Sequence, residues 1–141
     1  MTKLSRKANY FARFLVIYII ADFLLTPLGG LETRPISDVT TLGVTTLALL
    51  FLGLGLNVIS LVLTLRHNGR SPIFGMIGSV LYFPAAISDQ TGQFSTLTPP
   101  TGITYVEVTE AIVAIAIIVL GALVLREKQE TQTMPLQKPV S

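Results

Sequence analysis

Long apolar runs alternate with short polar segments along the chain, and four runs have the length of a membrane-spanning helix. A helix needs about 20 predominantly apolar residues to cross the hydrocarbon core of a bilayer, within a range of about 17–25. The pattern predicts spans at about residues 10–28, 42–65, 72–88 and 103–125. We therefore expect an all-α integral membrane bundle of four transmembrane helices, formed by residues 1–128 as one domain.

The third run is the least regular of the four. It is short, and Pro84 stands in its second half. Proline removes a backbone donor and clashes with the carbonyl one turn before it. The pattern therefore predicts a third segment that is either kinked or re-entrant.

The positions of the basic residues predict an orientation. Most of them lie before or near the start of the first run, connect the second to the third, or follow the fourth: Lys3, Arg6, Lys7, Arg13, Arg66, Arg70, Arg126 and Lys128. Because cytoplasmic connections carry the excess of lysine and arginine, we expect both termini to be cytoplasmic in the cell membrane. Residues 129–141 are polar and predict a disordered cytoplasmic tail. Asp22 lies inside the first run, and no small-residue cleavage motif follows it, so we expect a retained helix and no signal peptide.

Composition supports a membrane protein and excludes several function classes. Charged residues make up 13% of the chain, against about 25% in soluble domains. The basic residues flank apolar runs and do not form one folded face, so no nucleic-acid partner is expected. Cysteine is absent, which excludes disulfides, thiolate metal sites and iron–sulfur clusters.

No motif for catalysis or cofactor binding stands out. The single histidine, His67, cannot form a two-histidine haem or zinc site alone. There is no phosphate-binding glycine loop, and no serine has a histidine or lysine near its predicted depth. We expect a protein that is not an enzyme and holds no cofactor or metal.

Two polar residues fall inside the predicted spans at similar depth. Asp22 is nine residues past Arg13, and Asn57 is nine residues before Arg66. Both then lie about 13 Å above the inner boundary, because a helix rises about 1.5 Å per residue. A charged aspartate is costly at that depth. We therefore expect a protonated Asp22 that is hydrogen-bonded to the Asn57 amide.

Small and polar residues recur at helical spacing around this pair. One set on the second run predicts a helix-packing face: Thr46, Gly53, Asn57, Ser60 and Thr64. Matching positions on the first and third runs are Tyr18, Asp22, Thr26, Gly75 and Ser79. Two interpretations stay open, a polar seam that stabilises the bundle and a proton or cation site at Asp22.

Glu107 and Glu110 open the fourth run. Counting from Arg126 places them about 28 and 24 Å above the inner boundary, near the outer interface. One interpretation is that they are solvated residues in the first turns of the helix, where its dipole favours acids. The alternative uses their shared face, which continues through Ala114 and Gly121. With Asp89 in the adjoining loop, they would then form a cation vestibule that leads to Asp22.

Two function classes remain. The first is a small non-catalytic accessory or structural subunit of a larger membrane complex, with the lipid bilayer and other membrane subunits as partners. The alternative is a small proton- or cation-coupled transporter or channel that uses Asp22, Glu107 and Glu110. Because four short helices rarely enclose a pathway alone, the alternative requires a homo-oligomer.

Overall fold

The chain forms a helical bundle in the computed structural model, which describes residues 4–26 and 28–133. Its helices are α1 (Arg6–Leu25), α2 (Thr41–Leu65), α3 (Ser71–Val80), α4 (Phe83–Gln90) and α5 (Thr101–Thr133). Within the described residues, the only other elements are a 3-10 turn at Ile36–Asp38 and one bridge between Val39 and Ser95. The prediction of an all-helical fold is confirmed.

Four helical segments are long and apolar enough to span a membrane: Arg6–Leu25, Thr41–Leu65, Ser71–Gln90 and Thr101–Glu127. They match the four predicted runs. The first begins four residues earlier than predicted because the Ser5 hydroxyl accepts a hydrogen bond from the Ala8 amide at 3.2 Å and caps α1. At the other end, α1 stops at Leu25, and Pro27 lies outside the described residues.

The third segment is kinked and not re-entrant. Pro84 has no N–H for the carbonyl of Val80, so the helix is interrupted between α3 and α4. Both halves nevertheless follow α2 in one direction. The Ser60 hydroxyl donates to the Ser71 carbonyl at 2.7 Å near one end of α2. The hydroxyls of Thr46 and Ser88 are 3.1 Å apart near its other end.

The four segments form a ring in which each packs on its sequence neighbours and α5 closes on α1. Two glycines bring α2 and α3 into backbone contact. A Cβ on Gly53 would lie 2.7 Å from the Gly78 carbonyl oxygen, and a Cβ on Gly78 would lie 2.7 Å from that of Gly53. Small residues at such crossings let helices approach closely.

The contacts around Phe11 show which residues of the four segments lie at the same height along the bundle axis; we call this height a level. A Cβ on Gly75 would lie 2.7 Å from the Phe11 ring and 2.8 Å from the Ser60 hydroxyl. A Cβ on Gly121 would lie 3.4 Å from the same ring. Because neighbouring segments run antiparallel, counting residues from these four positions gives the level of any other residue.

The predicted packing faces are buried. This holds for all the small and polar positions singled out on the first three runs: Tyr18, Asp22, Thr26, Thr46, Gly53, Asn57, Ser60, Thr64, Gly75 and Ser79. The outward faces instead carry exposed apolar side chains such as Ile20, Val58 and Ile112. The bundle thus has a polar interior stripe and an apolar exterior.

The last helix runs past the predicted start of the tail. α5 continues to Thr133, five residues past the expected end of the domain at 128. Arg126 and Glu130 are one helical turn apart and form an ion pair at 3.1 Å, which favours continuation of the helix. Residues 134–141 lie outside the described residues.

Candidate functional site: a buried carboxyl pair beneath an arginine

Asp22 of α1 and Glu110 of α5 lie at the same level inside the bundle. Asp22 is eleven residues past Phe11, and Glu110 is eleven residues before Gly121 on the antiparallel helix. Both side chains are 0% exposed. Among the described residues, neither carboxyl has a hydrogen-bond partner. The two groups are close enough for their charges to interact.

Two tyrosines pack beside this carboxyl pair. Tyr18 lies one turn before Asp22, and its ring is 6.1 Å from the Tyr82 ring in an edge-to-face arrangement. The Tyr82 hydroxyl donates to the Glu107 carbonyl at 2.7 Å, which ties the α3–α4 break to α5. Both rings are almost fully buried, as are the two carboxyls.

The predicted hydrogen bond between Asp22 and Asn57 is wrong. The Asn57 amide donates to the Gly53 carbonyl at 3.1 Å within its own helix. Asn57 is only three residues from Ser60, so Asp22 lies about 12 Å further along the bundle. The error arose because the depth of Asp22 was measured from Arg13. Arg13 is an exposed residue within α1, whose guanidinium reaches the Tyr10 ring at 6.0 Å.

Asn57 and Ser79 form a separate polar level. Both are fully buried, and in the described part of the chain Asn57 Oδ1 and Ser79 Oγ have no hydrogen-bond partner. The Asn57 amide packs on the α3 backbone, where a Cβ on Gly78 would lie 2.7 Å from Nδ2. The polar stripe on α2 is therefore not a hydrogen-bonded chain that leads to Asp22.

The expectation that Glu107 and Glu110 are solvated is also wrong, whereas their position near the outer interface stays a prediction. α5 begins at Thr101, so both acids lie beyond its first turn. Glu107 is 8% exposed and Glu110 is 0% exposed. Their shared face with Ala114 and Gly121 is buried, as the alternative interpretation expected.

Glu107 has a polar partner, whereas Glu110 has none in the part of the chain that the structure describes. Its carboxylate accepts a hydrogen bond from Gln90 Nε2 at 2.5 Å. It also lines the same small cavity as the Asp89 carboxyl. Asp89 was expected in a loop, but it belongs to the last turn of α4 and is buried. The three acids proposed to form the vestibule, Asp89, Glu107 and Glu110, thus lie in one region of the bundle, but all three are buried.

Arg34 covers this end of the bundle, and the sequence interpretation did not single it out. Its guanidinium donates two hydrogen bonds to Asp89, at 2.6 and 2.9 Å, and two to Glu32, at 2.9 and 2.6 Å. It also stacks over Phe94 at 5.0 Å. The hydrogen bonds to Glu32, and secondarily to Asp89, raise the pKa of Arg34, so it stays charged.

Carboxyl groups outnumber basic side chains in this region. Arg34 is the only basic side chain, among those the structure describes, that pairs with its acids. Five carboxyl groups lie there: Asp22, Glu32, Asp89, Glu107 and Glu110. Beneath Arg34 is a cavity of about 30 Å³ bordered by Tyr82 and Glu107, which is enough room for a water molecule.

A larger cavity opens at the opposite end, where Arg6, Arg66 and Arg126 lie; we call this the basic end. Its volume is about 450 Å³, and Phe11 and Val124 lie among its walls. Fully buried Leu15, Ala114 and Ile117 fill the core further in. The carboxyl pair therefore lies between two cavities but is connected openly to neither.

The arrangement suits proton exchange better than metal coordination. Within residues 4–26 and 28–133, no three acidic, histidine or cysteine side chains are grouped so that they could hold a metal ion. A buried carboxyl without a partner is stable chiefly as the neutral acid, since an isolated charge is expensive away from water. Comparisons of this chain with protein-family models, curated proteins and solved structures each find no match.

Proposed function

We propose that this chain is a small integral membrane protein that binds and releases protons at Asp22 and Glu110, as part of a proton-coupled carrier. One observation carries the proposal: two fully buried carboxyls lie at one level in the bundle, without hydrogen-bond partners among the described residues.

A purely structural role does not account for this pair. Polar residues that stabilise helix packing do so through hydrogen bonds between helices. An unsatisfied buried polar group instead costs about 1–3 kcal/mol. Asp22 and Glu110 therefore weaken the bundle that contains them, and such groups are typical of functional sites within membranes.

The membrane orientation is part of the proposal. The basic end is placed at the cytoplasmic side, with both termini inside, because the basic residues cluster there. Arg34 then lies at the outer side, where its pairs with Glu32 and Asp89 explain an arginine outside the cytoplasmic segments. Assembly as a homo-oligomer completes the proposal, because the core of one chain is filled on the basic side of the carboxyl pair.

Reconstitution into liposomes tests proton binding. A pH step should change the infrared carbonyl band of protonated carboxyls, and a pH gradient should decay faster than in empty liposomes. Asp22→Asn and Glu110→Gln together should abolish the faster decay and remove the contribution of these two carboxyls to the band change. Asp38→Asn is the matched control, because it makes the same change outside the carboxyl pair. Equal signals from the double variant and the wild type would refute the proposal.

A second candidate is a non-catalytic accessory subunit of a larger membrane complex. The observation that favours it is the closed core, in which Leu15, Ala114 and Ile117 are fully buried. The size of the protein after gentle extraction, with mass spectrometry of the same band, separates the candidates. A large band that contains other proteins supports the subunit, and a small band with several copies of this chain supports the carrier.

A further inference from the structure

An apolar groove opens on the outside of the bundle between α4 and α5, which pack less closely than the other neighbouring helices. Its volume is about 310 Å³, near the lower end of the range of about 300–1,000 Å³ for small-molecule sites. Two of the residues that line the groove, Ala86 and Ala111, have small side chains, which makes room for it. Exposed Ile87 and Val108 form its rim.

Glu107 separates this groove from the interior. It borders the groove on one side and the small cavity beneath Arg34 on the other. Gln90, which also lines the groove, holds the Glu107 carboxylate by its hydrogen bond. Ala86 also borders both spaces, so one buried acid and one small apolar residue stand between the groove and the small cavity beneath Arg34.

A second groove offers a comparison. It lies between α1 and α2, has a volume of about 320 Å³, and is bordered by apolar residues that include Phe23 and Leu54. Among the described residues, only apolar side chains border it. The two grooves are similar in size, but the groove between α4 and α5 also has polar residues on its border, Gln90, Thr91 and the acid Glu107.

We propose that the groove between α4 and α5 is the entry site for a monovalent organic cation with an apolar body, such as a lipophilic amine. The apolar walls take the body of the molecule, and Glu107 takes its charged nitrogen after Gln90 moves aside. The excess of carboxyls over Arg34 favours a cation there over an anion or a neutral molecule. This inference rests on the proposed carrier function and names its substrate class.

Calorimetry on the full chain in phosphatidylcholine nanodiscs tests the proposal, with empty nanodiscs subtracted. The probes are 4-phenylbutylamine and the uncharged 4-phenylbutanol, which share an apolar body. The amine should bind saturably and at least tenfold more tightly than the alcohol. Ala111→Phe, which fills the groove, should weaken amine binding at least tenfold, whereas Leu54→Phe in the other groove should leave it unchanged. Glu107→Gln should weaken it similarly without filling the groove.

Two results would overturn the entry site: equal affinity for amine and alcohol, or equal losses in Ala111→Phe and Leu54→Phe. The infrared carboxyl band, recorded on the same samples, keeps the two proposals separate. If the band responds to pH but the amine binds no better than the alcohol, only the substrate class fails. If the band does not depend on Asp22 and Glu110, the carrier proposal itself fails.

Discussion

Phe11 of α1 lies against Gly121 of α5, and this contact aligns the two helices so that Asp22 stands level with Glu110. The alignment places two acids from opposite ends of the sequence in one buried layer. Counting along the sequence places them at different depths, about 13 Å for Asp22 and about 24 Å for Glu110, so it does not predict one common layer. The register of α1 against α5 therefore determines the candidate site.

Replacement of Glu110 by a similar-sized apolar residue should stabilise the protein. Glu110→Met removes a buried carboxyl without a partner among the described residues, so the free energy of unfolding should rise by about 1–3 kcal/mol. Glu107→Met is the control, because it breaks the bond with Gln90 and should give no gain. Unfolding in detergent micelles measures both variants. A loss of stability in Glu110→Met would mean that the carboxyl has a partner in the folded protein.

Removal of Arg34 should be strongly destabilising. Arg34→Met leaves the buried carboxylates of Glu32 and Asp89 without their cation, at a cost of about 3–5 kcal/mol. Arg34→Lys should recover only part of this, because an ammonium cannot bind two carboxylates with paired hydrogen bonds. Thermal unfolding checks the order of stability. Adding Glu32→Gln and Asp89→Asn to Arg34→Met should restore much of the loss; no recovery would contradict the ion-pair explanation.

Replacement by alanine should have opposite effects on the free energy of unfolding at Gly78 and at Gly55. A Cβ at Gly78 would lie 2.7 Å from the Gly53 oxygen, so Gly78→Ala should cost about 1–3 kcal/mol through a forced helix shift. A Cβ at Gly55 meets no atom within 4 Å, so Gly55→Ala should gain about 0.5–1 kcal/mol from reduced chain entropy. Unfolding of the two variants in the same detergent provides the test. Equal effects would exclude the close helix crossing.

His67 should be replaceable by glycine with a gain in stability. Its φ is 57°, the one positive φ of a non-glycine residue in the described ranges. It ends α2 in a conformation that favours glycine: its amide donates to Thr64 and the next amide donates to Leu63, both at 2.9 Å. His67→Gly should gain about 1 kcal/mol, whereas His67→Ala should gain nothing. A matching gain for alanine would show that the side chain, and not the backbone, is strained.

The sequence predicted the helices and their inward faces but not their relative levels. Apolar length and the spacing of small residues identify the four segments and the buried positions of α2. The level of a helix depends on where its end lies, and Arg13 was a misleading marker because a long side chain can reach past a turn. The packing of Phe11 between Gly75 and Gly121 decides the level, and this is a tertiary contact.

The role of Arg34 could have been predicted from the sequence but was not. An arginine in a connection that should carry few basic residues indicates a specific partner, and Glu32 and Asp89 were both available. What the pattern could not indicate was that the fold brings residues 34 and 89 together. The bridge between Val39 and Ser95 joins those two connections, and such pairing leaves no local signature.

The level of the carboxyl pair has an electrical consequence. Asp22 is sixteen residues from Arg6, and Glu110 is sixteen residues from Arg126, so in the proposed orientation the pair lies about 24 Å into a hydrocarbon core of about 30 Å. A proton that reaches it from the cytoplasmic side therefore crosses about four-fifths of the membrane field. At 100 mV, the field would change the free energy of that step by about 1.8 kcal/mol. The protonation state of the pair would then depend on the membrane voltage as well as on pH.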